Sequence, residues 1–153
     1  MVVEKDFRQS IELPQRADLG AKSLTFRVTQ VLTGHGCFGE YLRRIGAEET
    51  TECIECGAEM DSAQHTIEEC PQYQEARRDL TNVIGADLSP AALVGALLGS
   101  ESKRKAVPSF CEEVMAHKEE KERERERTVP EKREKRRGRA ATRRRKRNHI
   151  DPG

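Results

Sequence analysis

The chain has 153 residues, of which 36% are charged and 4% aromatic, with no Trp. That length allows one small domain plus tails, and the composition is a poor supply of core material, so an extra staple is expected. The net charge of +1 hides an asymmetry: residues 1–117 carry 12 Lys+Arg against 19 Asp+Glu, and residues 118–153 carry 16 against 8. No apolar run approaches the ~20 residues of a membrane span. Met1 to Leu13 contains acids and no apolar h-region, so no signal peptide is expected.

Residues 1–22 are mixed, with Pro14 and Gly20 as breakers, and read as a linker or the remnant of an upstream domain. Residues 23–46 read as a helical pair. Leu24, Val28, Val31 and Leu32 recur at helical spacing behind Ser23 as a cap, and Gly34-His35-Gly36 makes the turn. The second helix, about Cys37 to Ile45, has Phe38, Tyr41, Leu42 and Ile45 on one face and Gly46 past its end.

Residues 47–85 hold the pattern with chemical content: Cys53-x2-Cys56-x8-His65-x4-Cys70. Three thiols and an imidazole are the ligand set of a closed tetrahedral zinc site. Gly57 suits the tight turn after the second cysteine, because it tolerates positive φ. Disulfides would suit a secreted chain, which this does not resemble, and zinc spacing with an odd cysteine count fits the reducing cytosol or nucleus. His35 and Cys37 are tempting extra ligands. A closed site takes only four, so His35 is read as a turn residue and Cys37 as a small buried one. Pro71 fits an early helical position. Tyr73, Ala76, Leu80, Val83 and Ile84 follow at helical spacing, with Gly85 as the stop.

The flanks of that pattern carry a resemblance. The run Gln30-Val31-Leu32-Thr33-Gly34-His35-Gly36-Cys37-Phe38-Gly39-Glu40-Tyr41-Leu42 precedes it, and His65-Thr66 and Cys70-Pro71 surround its last two ligands. This is similar to the C-terminal end of the reverse transcriptase polyprotein of non-LTR (LINE-type) retrotransposons, particularly the site-specific arthropod elements. There a segment of this kind leads into a gag-like Cys-Cys-His-Cys knuckle. Gln64 stands where that family has an acidic residue. The resemblance covers about residues 23–80 and implies a knuckle that helps to engage template RNA during target-primed reverse transcription, beside an upstream reverse transcriptase domain.

Residues 86–127 read as further helices. Ser89-Pro90 opens an apolar piece, Ala91 to Leu98, expected to be buried or to pair with another helix. Ser109-Phe110-Cys111-Glu112 has the spacing of a capping box and predicts a new helix start, with Phe110, Val114 and Met115 as its stripe. Cys111 and His117 have no partners at ligand spacing. Lys118 to Arg127 is almost wholly charged and is expected to run into solvent with nothing to pack on. Residues 128–153 read as a disordered basic tail, with 11 Lys+Arg and 2 Glu in 131–147.

The expected fold is therefore mainly α: a small helical domain around a CCHC zinc knuckle, with a disordered basic C-terminal tail. The chain shows no Gly-rich phosphate loop and no Tyr- or Phe-Ala-Asp-Asp, so no enzyme activity is expected on it; it resembles the tail of a polymerase without the polymerase, a fragment or truncated copy. The leading reading is a zinc-dependent module that binds RNA or single-stranded DNA. Arg43, Arg44, Arg77 and Arg78 flank the knuckle, and Arg143, Arg144, Arg145, Lys146 and Arg147 are the cationic tail. The alternative is a zinc-stapled protein-interaction module, in which the helix near 91–98 docks on a partner domain. It is favoured by the acids Glu48, Glu49, Glu52, Glu55, Glu59, Asp61, Glu68 and Glu69, which oppose phosphate binding at the knuckle.

Overall fold

Thr25 begins the first helix of the computed structural model, which describes residues 24–148 apart from the side chains of Arg133, Arg136, Arg147 and Asn148. The expected linker at 1–22 and the Ser23 cap lie outside those residues. Thr25 takes the cap instead: its hydroxyl accepts from the Val28 N–H, and α1 runs Phe26–Thr33. Gly34, at φ 68°, closes it in the left-handed region that only glycine enters without strain. α2 is short, Gly39–Arg44, and buries Phe38 just before it. Ile45, expected on the buried face, is instead 46% exposed because the helix ends one residue earlier.

After the ligand-bearing stretch, α3 (Gln74–Ile84) buries Tyr73, Ala76 and Leu80, while Val83 is exposed. α4 (Pro90–Leu97) starts as its sequence predicts, with the Ser89 hydroxyl accepting from the Ala92 N–H and proline in the first turn. Leu93, Val94, Ala96 and Leu97 of α4 are buried within this chain rather than presented to another domain.

The organising element is α5, Glu101–Thr128, on which α1, α3, α4 and the following helix all pack. The capping-box start at Ser109 is overturned, because the helix begins eight residues earlier and carries Pro108 inside it. An interior proline costs about 3 kcal/mol through its lost hydrogen bond and ring clash. The stripe Val107, Phe110, Cys111, Val114 and Met115, all buried, supplies the offsetting burial. Burial pushes the Cys111 thiol up to about 12, the behaviour of a core thiol.

The stripe does not stop where the apolar residues stop. Its next position is Lys118, fully buried, whose Nζ donates to both carboxylate oxygens of Asp61 at 2.8 and 3.0 Å and lies over the Phe38 ring, 5.4 Å from its centroid. Further along, Glu122 and Arg125 meet Glu48 and Lys132. Lys132 Nζ lies 2.5 Å from Glu48 Oε2 and 2.7 Å from Glu122 Oε1, and Arg125 Nη1 lies 3.0 Å from Glu48 Oε2. The charged stretch thus has partners, contrary to the expectation that it projects bare into solvent.

Lys132 belongs to α6, Pro130–Asn148, which begins with the proline that ends α5 and packs back along it. The expected disorder from residue 128 is replaced by this helix. Composition argued from self-repulsion among the cations. It left out the acids of the body, which neutralise the first turns of α6: Glu48 and Glu122 take Lys132, and Glu49 takes Lys135.

Removing one member of the buried Lys118–Asp61 pair leaves the other charged and unpartnered. Lys118→Ala should lower unfolding free energy in urea by about 3–5 kcal/mol, whereas exposed Arg123→Ala should change it by less than about 1 kcal/mol. Equal effects of the two substitutions would refute the buried pair as a structural tie.

Candidate metal centre

Cys53, Cys56, His65 and Cys70 converge. One ligand atom from each lies within 4.8 Å of all the others. Cys53 Sγ and Cys70 Sγ are 3.9 Å apart, and Cys56 Sγ is 3.3 Å from His65 Nε2. A tetrahedral ion with bonds of about 2.3 Å to sulfur sets two sulfurs about 3.8 Å apart, so the donor set and its spacing fit one metal ion. Among the described residues no other group of His, Cys, Asp and Glu converges in this way.

Two local turns create the convergence. In the first, the Gly57 N–H donates to the Cys53 carbonyl at 2.8 Å and the Cys53 N–H to the Ala58 carbonyl at 2.8 Å, with Gly57 at φ 77°. That fold-back puts Cys53 and Cys56 on one side. The second is a single wide helical turn over His65–Glu69, in which the Cys70 N–H donates five residues back to the His65 carbonyl at 2.8 Å. In an α-helix residues five apart point about 140° away from each other. The wider turn brings Cys70 round above His65, so both face the same point. Ser62 fixes its start, its hydroxyl accepting from the His65 N–H at 3.0 Å.

A second ring of groups holds the ligands in place. His65 Nδ1 is 3.4 Å from Glu69 Oε2, leaving Nε2 for the metal side. Arg77 reaches from α3 to the same turn, its Nε donating to the Ile67 carbonyl at 2.6 Å and its Nη2 to the Thr66 and Cys70 carbonyls at 3.1 and 2.8 Å. The Cys70 carbonyl also accepts from the Tyr73 N–H at 3.2 Å. Asp61 ties the loop to α2 by accepting from the Gly39 N–H at 3.0 Å, and to α5 through Lys118. Gly39 must be glycine there, since a Cβ would lie 2.8 Å from the Thr51 carbonyl oxygen. His117 of α5 adds a further contact, 3.0 Å from the Tyr73 hydroxyl through Nδ1.

The remaining residues singled out from the sequence lie elsewhere. His35 and Cys37 stay outside the cluster. The His35 ring stacks on Tyr41 at 4.8 Å, and burial, with Glu119 and Glu122 nearby, pushes the Cys37 thiol up to about 11. Arg43 and Arg44 are exposed at the end of α2, where Arg43 Nη1 donates to the Glu49 carbonyl. Arg78 is exposed, whereas Arg77 is half-buried on the ligand loop. Arg143, Arg144, Arg145 and Lys146 are exposed on α6, and the side chain of Arg147 lies outside the described residues. Sequence reading missed Asp61, Glu69 and Lys118. The one signal for Lys118 was its position, a lysine at the next step of an apolar stripe.

The architecture is thus a small, strand-free helical domain, among the described residues, with a Cys3His group that can hold a metal. The chain is similar to retrotransposon proteins. It is 38% identical over 64 residues to the Retrovirus-related Pol polyprotein from type-1 retrotransposable element R1 of Popillia japonica, a match covering 40% of this chain and 26% of that protein. It is 38% identical over 60 residues to the corresponding R1 4 polyprotein of Nasonia vitripennis, covering 39% of this chain and 15% of that one. It is 30% identical over 90 residues to the putative 115 kDa protein in type-1 retrotransposable element R1DM of Drosophila melanogaster, covering 59% and 9%. The chain therefore spans about a quarter or less of the curated relatives it matches. No protein-family model and no solved structure matches it.

Two outcomes test the centre. Cys56→Ser should abolish stoichiometric metal in elemental analysis and lower helicity by circular dichroism; unchanged metal content refutes the four-ligand cluster. Burial pushes the Cys70 thiol up to about 12 and raises that of Cys53. Each must shed its proton to bind, so metal uptake releases protons and weakens as pH falls. A chelator competition should show affinity about tenfold or more higher at pH 8 than at pH 6.

Proposed function

We propose that this chain is a zinc-stapled, non-catalytic module of a retrotransposon polyprotein that binds RNA or single-stranded DNA. The carrying observation is the Cys3His group itself, in a chain similar over part of its length to retrotransposon Pol polyproteins. Three sulfurs and one nitrogen at tetrahedral spacing favour zinc over oxygen-seeking cations such as magnesium or calcium. The relatives' names supply the setting, a Pol polyprotein of a retrotransposable element; an upstream reverse transcriptase domain is the neighbour this reading expects.

Within that reading the metal centre serves as a staple. Arg77, flanking the last ligand, spends its donors on backbone carbonyls. The surfaces around the ligands are acidic, with Glu52, Glu59 and Glu69 exposed. Nucleic-acid contact is assigned to the cations of α6 instead, where Arg143, Arg144, Arg145 and Lys146 stand exposed. The apolar face of α4, which the protein-interaction alternative would present to a partner, packs against α5 in this chain.

Fluorescence anisotropy with a labelled single-stranded oligouridylate tests the reading on the full chain. Binding should be measurable at ~50 mM salt and fall steeply towards 200 mM. Absence of binding at low salt overturns it.

A further inference from the structure

Resting on that reading, we infer that one specific groove, between the C-terminal end of α2 and one face of α6, is the seat of the nucleic-acid backbone. The groove is shallow and open, about 400 Å³, and four cations line it: Lys135, which Glu49 already pairs, and Arg139, Arg143 and Lys146. Their spacing of four, four and three residues places all of them on one helical face, over a length of about 16 Å. Its other wall is Ile45 and Gly46. No acidic residue lines it.

That absence is the decisive feature in a chain with 27 Asp+Glu. The neighbouring crevice beside the ligand loop sets five carboxylates, Glu48, Glu52, Glu55, Asp61 and Glu122, against the cations Lys118, Lys121 and Arg125, a net negative lining that disfavours a phosphate. The groove concentrates one sign of charge where the body otherwise alternates or is negative, which raises local attraction for a polyanion. Its floor is partly backbone, since Gly46 and Gly138 carry no side chain, so a strand can approach closely. Ile45, half-exposed there, offers an apolar surface to a sugar or base edge. No aromatic lines the groove, so stacking contributes nothing and the contact is with phosphates, without sequence preference. The seat requires α6 to be docked, and the acids Glu48, Glu49 and Glu122 dock it.

The test separates the seat from mere tail charge. Arg139→Gln/Arg143→Gln removes two cations from the groove face. Arg123→Gln/Arg137→Gln removes two exposed cations outside the groove, one on α5 and one on the far side of α6, with an identical change in net charge. All four positions are exposed, so both variants should keep the circular dichroism spectrum and metal stoichiometry of the parent. Binding to the labelled oligouridylate across a salt series should weaken about tenfold for the groove pair, and the slope of log K against log salt should fall by about 1.4. The pair outside the groove should stay within about twofold. Equal losses in the two variants overturn the groove while leaving nucleic-acid binding intact. No binding by the unmutated chain overturns both.

Discussion

Within the eighteen residues Cys53 to Cys70, four side chains converge on one point where they can hold a metal ion. Between the first and last ligand only Ala63 and Ile67 join the apolar core, so burial alone cannot order this loop. A structural zinc ion is worth on the order of 10 kcal/mol, comparable with the whole stability of a domain of this size. The loop in turn positions Asp61, which receives Lys118 of α5 and the backbone of α2. The order of dependence is therefore metal ligands, then loop, then the docking of the loop on the long helix. Arg77 belongs to the same chain of dependence, since its guanidinium donates to the Thr66, Ile67 and Cys70 carbonyls.

How much of this could be read from the sequence depends on whether the signal was local. The four ligands were legible because thiol and imidazole spacings carry the chemistry themselves. The Ser89-Pro90 start was legible because cap and first-turn proline are adjacent. Ser109-Phe110-Cys111-Glu112 misled for the same reason: it has the local form of a capping box, while the burial of Val107, Phe110 and Val114 on one continuous stripe decides the outcome. Local cap chemistry contributes about 1 kcal/mol, and several buried large side chains contribute more. The wide turn at His65–Glu69 left no trace in composition, because it is imposed by where the ligands must point.

The reading of residues 128–148 failed on a different count. Composition treats a run of cations as an isolated polyelectrolyte, and an isolated one would self-repel. The acidic body is part of its environment. Glu48 and Glu122 close on Lys132, and Glu49 on Lys135, so the opening turns of α6 are neutralised from outside their own sequence. The charge asymmetry is thus a docking signal inside one chain.

These two uses of charge are separated along one helix. Near its start, α6 spends cations on carboxylates of the body, where burial makes the pairs obligatory: Lys132 is 7% exposed. Beyond Gly138 the cations stand in solvent, where pairing with a carboxylate would gain little but release of counterions from a polyanion gains much. The acids that repel phosphate at the ligand loop are therefore not in conflict with nucleic-acid binding. They anchor α6 through Lys132 and Lys135, and on the proposed reading phosphate contact falls to the cations further along it, Arg139, Arg143 and Lys146.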